Sequence, residues 1–275
     1  MTEKKETDKK IRLAAIDLDG TLLTGAKTIS GTNAGAIRAA MDAGAYICIA
    51  TGRAWPGAKE FIRKLRPNSP VITSNGAMIV HPETEEILFE CCLSAQDAGT
   101  VFDLGTERDV TQIVWSENRL YSSKINELSE DYSRRFGKMP AKKITALSEL
   151  AGHEIQKILW YLPEAMAEQT LPSVPVERFR NVCIVTSDPN FLEFFSASVS
   201  KAEALRKVAG MCHVPVCETA AIGDAGNDIP MLKEAGIGIA MGNATEETKT
   251  QADAVTLDNE HDGVAYALKN ICKMI

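Results

Sequence analysis

Nothing in the 275 residues approaches the run of roughly 20 apolar side chains that crosses a bilayer, and the N-terminus carries no apolar signal core. Residues 1–10 are polar and charged instead, which predicts a mobile tail on a cytoplasmic protein with no membrane partner. A basic stripe is also lacking. With 30 Lys and Arg against 37 Asp and Glu, the net charge of -7 excludes a dedicated nucleic-acid surface, which needs clustered cations. An anionic substrate stays open, because one lysine or one bound cation reverses the field at a single site. The seven cysteines are odd in number and two of them, Cys91 and Cys92, are adjacent, so no disulfide framework is expected. Cys212, His213 and Cys217 lack a second ligand pair at zinc-finger spacing and read as ordinary buried or loop residues. With no internal repeat and no low-complexity tract, the chain is expected to form one large domain or a domain with an insert.

What is present begins at residues 11–16, an apolar run of strand length that stops at Asp17-Leu18-Asp19-Gly20-Thr21-Leu22. Carboxylates at the carboxyl end of a strand stand where open α/β sheets bind ligands, although Asp also simply ends strands and starts turns. A helix is expected over 33–43, capped by Ser30 or Thr32, and then the continuous apolar run 45–50, which ends at Thr51-Gly52-Arg53. Strand, helix, strand is the unit of a parallel sheet. Pro56 and the spacing of Trp55, Ala58, Ile62 and Leu65 predict a second helix with those residues in the core. A third strand follows at 70–73, before Ser74-Asn75-Gly76-Ala77.

Around Pro82 the pattern turns to paired strands: a hairpin of 112–115 with 119–122, and strands at 157–162, 182–186 and 191–195. Helices are expected at 95–107, 125–136 and 164–171. The result is an inserted α+β unit over 83–190, within a core formed by 11–82 and 191–275. After Ser200 the first pattern returns. A helix opens at Lys201, and a short strand at 220–222 runs into Gly223-Asp224-Ala225-Gly226-Asn227-Asp228. Pro230 starts a helix that Gly236 ends, strands follow at 237–240 and 254–256, and a last helix carries Val264, Leu268 and Ile271. On a parallel sheet Asp17, Asp19, Thr51, Asp224 and Asp228 share one rim. Four carboxylates there would repel, and a hard divalent cation resolves this, Mg2+ suiting the donors better than a closed Ca2+ cage.

These stretches, in this order, resemble the four motifs of the haloacid dehalogenase superfamily of phosphatases: Asp17-Leu18-Asp19-Gly20-Thr21-Leu22, Ala50-Thr51-Gly52-Arg53, Lys201 after Val199-Ser200, and Gly223-Asp224-Ala225-Gly226-Asn227-Asp228. The likeness is to the Cof-type branch, whose members carry a large α/β cap between the second and third motifs. Ser74-Asn75-Gly76-Ala77 and Asp262-Gly263-Val264-Ala265 also look like that branch. The resemblance covers most of residues 11–81 and 191–271 and little of the insert. It implies a doubly wound, Rossmann-like α/β core with an inserted α+β cap domain that closes over the rim and sets selectivity. The implied activity is Mg2+-dependent hydrolysis of phosphomonoesters of small metabolites, such as sugar phosphates or phosphorylated cofactors.

By the same resemblance Asp17 is the nucleophile that forms an aspartyl-phosphate, and Asp19 is the general acid and then the general base. A carboxyl at position 19 favours hydrolysis, since the superfamily's ATPases carry Thr there. Thr51 and Lys201 would hold the phosphoryl oxygens, with Gly52, Asn75 and Asn227 beside the substrate. Asp17, the main-chain carbonyl of Asp19, and Asp224 would bind Mg2+, and Asp228 would act through water or by orienting its neighbours. Arg53 reads either as a substrate contact or, favoured, as a surface residue anchoring its loop. Ala202 stands where this branch commonly has Gly, and Ala225-Gly226 fills the variable pair of the fourth motif; neither removes a functional group. Two other readings are a sugar-phosphate mutase and, from a different class, a signalling module phosphorylated on Asp17.

Overall fold

The computed structural model describes residues 10–163 and 166–275. The tail expected over 1–10, Lys10 apart, and the start of the helix expected from residue 164 lie outside those residues. The chain gathers into two compact units, one of residues up to Gly52 with Ala58–Phe89 and Ser200–Ile275, the other of Arg53–Gly57 with Glu90–Val199. Strands follow in chain order at β1 (Leu13–Ile16), β2 (Tyr46–Ile49), β3 (Val71–Thr73), β4 (Met78–Val80) and β5 (Ile87–Glu90). Then come β6 (Thr111–Ser116), β7 (Arg119–Ser122), β8 (Lys142–Lys143), β9 (Ile155–Tyr161), β10 (Val182–Asp188) and β11 (Phe191–Ser196). The last three are β12 (Thr219–Gly223), β13 (Ile237–Ala240) and β14 (Ala254–Val255). No helix among the described residues is long and apolar enough to cross a membrane.

In the first unit the sheet runs β14-β13-β12-β1-β2 with every pairing parallel, the Rossmann-like core that the sequence implies. All four residues of β1 are fully buried, as in a strand covered on both faces, which is why 13–16 shows no polar alternation. Leu13 and Ala15 share a cluster with Ala204, Leu205 and Val208 of the helix Lys201–Met211 and with Met231 and Leu232 of the helix Ile229–Glu234. Each fully buried Leu, Val or Met there contributes about 1.5–3 kcal/mol. The helix Gly31–Asp42 is capped by Ser30, not Thr32: the Ser30 hydroxyl accepts from Asn33 N at 3.0 Å. Ser30 also donates to the Asp262 carboxylate at 2.5 Å, and Asn33 Oδ1 accepts from Ala265 N at 2.9 Å. Asp262-Gly263-Val264-Ala265 therefore fastens the C-terminal helix to the first one.

Strand order reverses between β1 and β12. The chain leads outward from β1 through β2, and outward the other way from β12 through β13 to β14. At such a switch point the loops after two adjacent strands part and leave a crevice at their carboxyl ends. The loops concerned carry Asp17 and Asp224.

Paired strands begin earlier than Pro82. Ala50 makes a single parallel bridge to Ile72, but β3 turns straight back into β4, with Val71 opposite Val80. The turn between them, Ser74-Asn75-Gly76, holds φ of 50°, 57° and 102°. A Cβ on Gly76 would lie 2.3 Å from the Ser200 carbonyl oxygen, so only glycine lets this turn rest against the start of the helix that Lys201 opens.

The second unit is a sheet in the order β10-β11-β9-β6-β7-β8, antiparallel except for β7 with β8. Both faces are covered, with a period of two. Val114, Ile158, Trp160, Leu192 and Phe194 meet Ala98, Val101 and Phe102 of the helix Ala95–Glu107. Ile113, Trp115, Leu159, Tyr161 and Phe191 meet Tyr132, Phe136 and Ala54. Glu117 and Asn118 alone connect β6 to β7, both at positive φ (49° and 59°), as a type I′ turn requires. The expected boundary at 190 falls inside a hairpin: β11 pairs with both β10 and β9, and its Phe191 and Phe194 enter opposite faces of this unit. Residues 53–57 also belong here, Ala54 through its cluster and Gly57 because a Cβ would lie 2.4 Å from the Phe136 carbonyl oxygen.

Among the described residues of this unit, a charged pair is buried. Lys157 Nζ donates to Glu193 Oε1 at 2.9 Å, with side chains 4% and 6% exposed, while Trp115 Nε1 donates to the Tyr132 hydroxyl at 3.0 Å on the same face. Burial alone would depress the Lys157 pKa, but the Glu193 carboxylate outweighs it and holds the ammonium charged. Removing one partner strands the other. Lys157→Ala is expected to lower the unfolding free energy by about 3–5 kcal/mol in urea titration, while Lys157→Met with Glu193→Leu should cost far less. A single substitution that leaves the urea midpoint unchanged would show that the pair carries no such weight.

Candidate active site

Asp17 is the first residue beyond β1. Its N–H donates to the Ile222 carbonyl at 3.0 Å, which continues the β1–β12 ladder, and its own carbonyl accepts from Leu22 N at 3.2 Å as the chain turns away. Gly20 allows that turn, with φ of 79°, and a Cβ there would fall 2.3 Å from Asp224 Oδ2. Glycine is thus what lets the Asp224 carboxylate lie against the turn. Thr21 secures it, its hydroxyl donating to Asp224 Oδ1 at 2.8 Å.

Lys201 opens its helix behind Ser200, whose hydroxyl accepts from Glu203 N at 3.1 Å. Its side chain is fully buried, and Nζ lies 2.6 Å from Asp17 Oδ1 and 2.6 Å from Asp228 Oδ1. The other oxygen of Asp228 accepts from Asp224 N at 3.0 Å and Ala225 N at 3.1 Å, so both its oxygens are engaged. Asp17 Oδ2, by contrast, accepts no hydrogen bond among the described residues. Asp17, Asp224 and Asp228 each present an oxygen within 4.8 Å of the others.

One ammonium therefore faces three carboxylates. Burial drives the Asp17 pKa well up against the pull of Lys201, with Asp228 and Asp224 adding to the rise. Burial likewise pushes Asp224 up to about 6, with Asp228 reinforcing and the Thr21 hydrogen bond opposing. Lys201 moves the other way from what burial alone dictates, because Asp17 and Asp228 favour its charged form. A second positive charge would relieve both strained carboxylates. The donors are hard oxygens with no thiolate or imidazole, which fits a divalent cation of the Mg2+ type.

The other expected residues come from the ends of β2 and β3 and from the loop after β12. Thr51, 1% exposed, donates its N–H to the Ile72 carbonyl at 2.9 Å and accepts from Asn75 N at 3.1 Å. Asn227 Nδ2 donates to Asn75 Oδ1 at 2.9 Å, and a Cβ on Gly52 would meet that same oxygen at 2.9 Å. Gly52, Asn75 and Asn227 are thus in mutual reach. The Asp19 side chain is not among the three clustered acids; it is 37% exposed and paired with Lys27 at 2.9 Å. Arg53 lies in the second unit, where its Nη1 donates to the Gly57 carbonyl at 3.2 Å and so anchors its own segment. Sequence reasoning passed over Thr21, which sits inside the first motif, and Lys27, which no motif marks. It also passed over Asn243, just beyond the end of β13, whose Nδ2 donates to the Gly20 carbonyl at 2.8 Å.

Comparison with known proteins gives the family. The sequence profile of the haloacid dehalogenase-like hydrolases matches residues 14–268. The 5-amino-6-(5-phospho-D-ribitylamino)uracil phosphatase YcsE of Bacillus subtilis is 31% identical over 264 residues, spanning 96% of this chain and 96% of that protein. Among solved structures, the phosphatase BT1666 of Bacteroides thetaiotaomicron is 29% identical and superposes with a TM-score of 0.82, covering 98% of each chain. The subclass IIB sugar phosphatase BT4131 is 26% identical with a TM-score of 0.80, over 96% of this chain and 100% of its own. A parallel sheet with its acids at the switch point, a profile match along nearly the whole chain and relatives that are phosphatases place this protein among the haloacid dehalogenase-like hydrolases, as a phosphatase of their Cof-type branch.

Proposed function

We propose that this phosphatase hydrolyses monoesters of small phosphorylated metabolites, with Mg2+ bound and with Asp17 as the phosphorylated residue. One observation carries the reading: Lys201 holds one oxygen of Asp17 at 2.6 Å while the other accepts no hydrogen bond among the described residues, beside two further carboxylates. Asp17, Asp224 and the main-chain carbonyl of Asp19 would hold Mg2+, and Asp228 orients the set through Lys201 and the amides of Asp224 and Ala225. Bound Mg2+ supplies the positive charge that keeps Asp17 ionised and offsets charge on the phosphoryl oxygens.

The rest follows from the side chains. Asp17 attacks phosphorus, and the bond to the ester oxygen breaks as that oxygen takes the proton of Asp19. Asp19 then removes a proton from water as the water oxygen attacks phosphorus, which frees phosphate and restores the Asp17 carboxylate. Lys201 and the Thr51 hydroxyl balance the charge on the equatorial oxygens, and the amides of Asn75 and Asn227, with Gly52 giving close approach, orient the ester. We assign this chemistry to the first unit and the role of cap domain to the second. The ribityl phosphate in the name of the Bacillus subtilis relative and the sugar phosphatase activity of BT4131 favour polyol or sugar phosphates as the substrate class.

The test is phosphate release over a panel of sugar, polyol, nucleotide and cofactor monoesters. Turnover should require Mg2+, vanish with chelation and return on readdition, and yield free phosphate, not an isomer. Asp17→Asn is expected to lower kcat by at least about 10³-fold with an unchanged circular dichroism spectrum, and a variant with undiminished Mg2+-dependent release would sink the assignment. Asp19→Asn should slow formation and breakdown of the intermediate, so that a phosphate adduct on Asp17 persists in intact-mass spectra after substrate addition. Wild-type kinetics in that variant would remove Asp19 from proton transfer.

A further inference from the structure

Asp19 and its partner Lys27 belong to a hairpin whose stem, Thr21 to Leu23, is buried and whose tip, residues 25–28, is exposed. Within the hairpin Thr24 N donates to the Thr28 carbonyl at 3.0 Å and Lys27 N to the Thr24 carbonyl at 2.8 Å. The loops that follow β13 and β14 grip it. Asn243 Nδ2 donates to the Gly20 carbonyl at 2.8 Å, and Asn243 Oδ1 accepts from Asn259 N at 3.0 Å. Asn259 Nδ2 in turn donates to the Leu23 carbonyl at 2.8 Å, and Glu260 Oε1 accepts from Gly25 N at 2.6 Å. Gly242 permits the close approach of the two loops, since a Cβ there would sit 2.8 Å from Asp258 N.

The contact to Gly20 matters because of the peptide it fixes. The Gly20 carbonyl and the Thr21 N–H belong to one planar group, and the N–H donates to the Leu18 carbonyl across a long bond of 3.4 Å. Gly20, at φ of 79°, has the conformational freedom to let that plane rotate. Rotation would move Asp19 on one side and Thr21, which holds Asp224, on the other. The same loop reaches Asp224 itself, Thr245 N donating to its carbonyl at 3.4 Å.

We infer that Asn243 is a positioning residue for proton transfer by Asp19, acting through the Gly20 peptide. This rests on the role given above to Asp19. The test compares kcat/KM for p-nitrophenyl phosphate, whose leaving group departs without a proton, with that for the best alkyl monoester of the panel, whose leaving group needs one. Asn243→Ala and Asn243→Asp both remove the donor, and only the second adds charge. Each is expected to lower kcat/KM about tenfold or more on the alkyl ester and by less than about threefold on the aryl ester, with an unchanged urea midpoint. Asp19→Asn should show the same selectivity for the alkyl ester, more strongly. Equal losses on both esters, or no loss, in the Asn243 variants would overturn the positioning role while leaving Asp19 in place. Equal losses in Asp19→Asn would overturn the proton-transfer reading of Asp19, and the role of Asn243 with it.

Discussion

The arrangement turns on a single buried ammonium. Lys201 bridges Asp17 and Asp228 with two charge-assisted hydrogen bonds, and neither partner has bulk water to screen it. For this to form, three distant parts of the chain must meet: the end of β1, the loop after β12 and the first residue of a helix. Parallel pairing of β1 with β12 brings the first two together. The third is set by contact of the Ser74-Asn75-Gly76 turn with Ser200, where even one added methyl would collide. The same turn carries Asn75, so the residues around Thr51 and the cation are indexed to each other by backbone packing rather than by long side chains.

Much of the first unit could be read from the chain because strands buried on both faces announce themselves as unbroken apolar runs ended by glycine or acid. Asp17, Thr51 and Asp224 stand where such runs end, whereas Lys201, at the start of a helix, is marked only by the resemblance to the family. What escaped depends on pairing partners that no local pattern names. Strand β4 is three residues long and takes its identity from β3, and β11 reads equally well as the start of the core until its pairing with β9 is known. Thr21 meets Asp224, and Asn243 meets Gly20, across more than half of the chain, and a hydrogen bond of that kind leaves no periodic trace. The resemblance to a family located the motifs; it did not describe how the loops around them are held.

The two units use buried charge differently. In the second, Lys157 and Glu193 form a closed pair of one cation and one anion among aromatic side chains, so the local charge is balanced as it stands. In the first, three carboxylates share one lysine, and burial raises the pKa of two of them. A fold of marginal stability would not keep such an imbalance in its interior without use for it. The imbalance is a preformed demand for positive charge, located at the crevice where a parallel sheet reverses its order.

Asp17 and Asp19 illustrate how two like groups are given unlike surroundings. On a continuing strand, residues two apart would share a face and an environment. Here the chain leaves the sheet at once: the carbonyls of Asp17 and Leu18 accept from Leu22 N and Leu23 N, and the turn at Gly20 carries Asp19 away from the clustered acids. Asp17 stays sealed with Lys201, while Asp19 is more than a third exposed beside Lys27. A nucleophile gains from exclusion of water, since its charge is then offset only by fixed partners. A proton carrier needs access to the group that leaves and to the water that follows. Separation of those environments, produced by one glycine turn whose carbonyl Asn243 binds, is the physical basis for the two different roles proposed for these carboxylates.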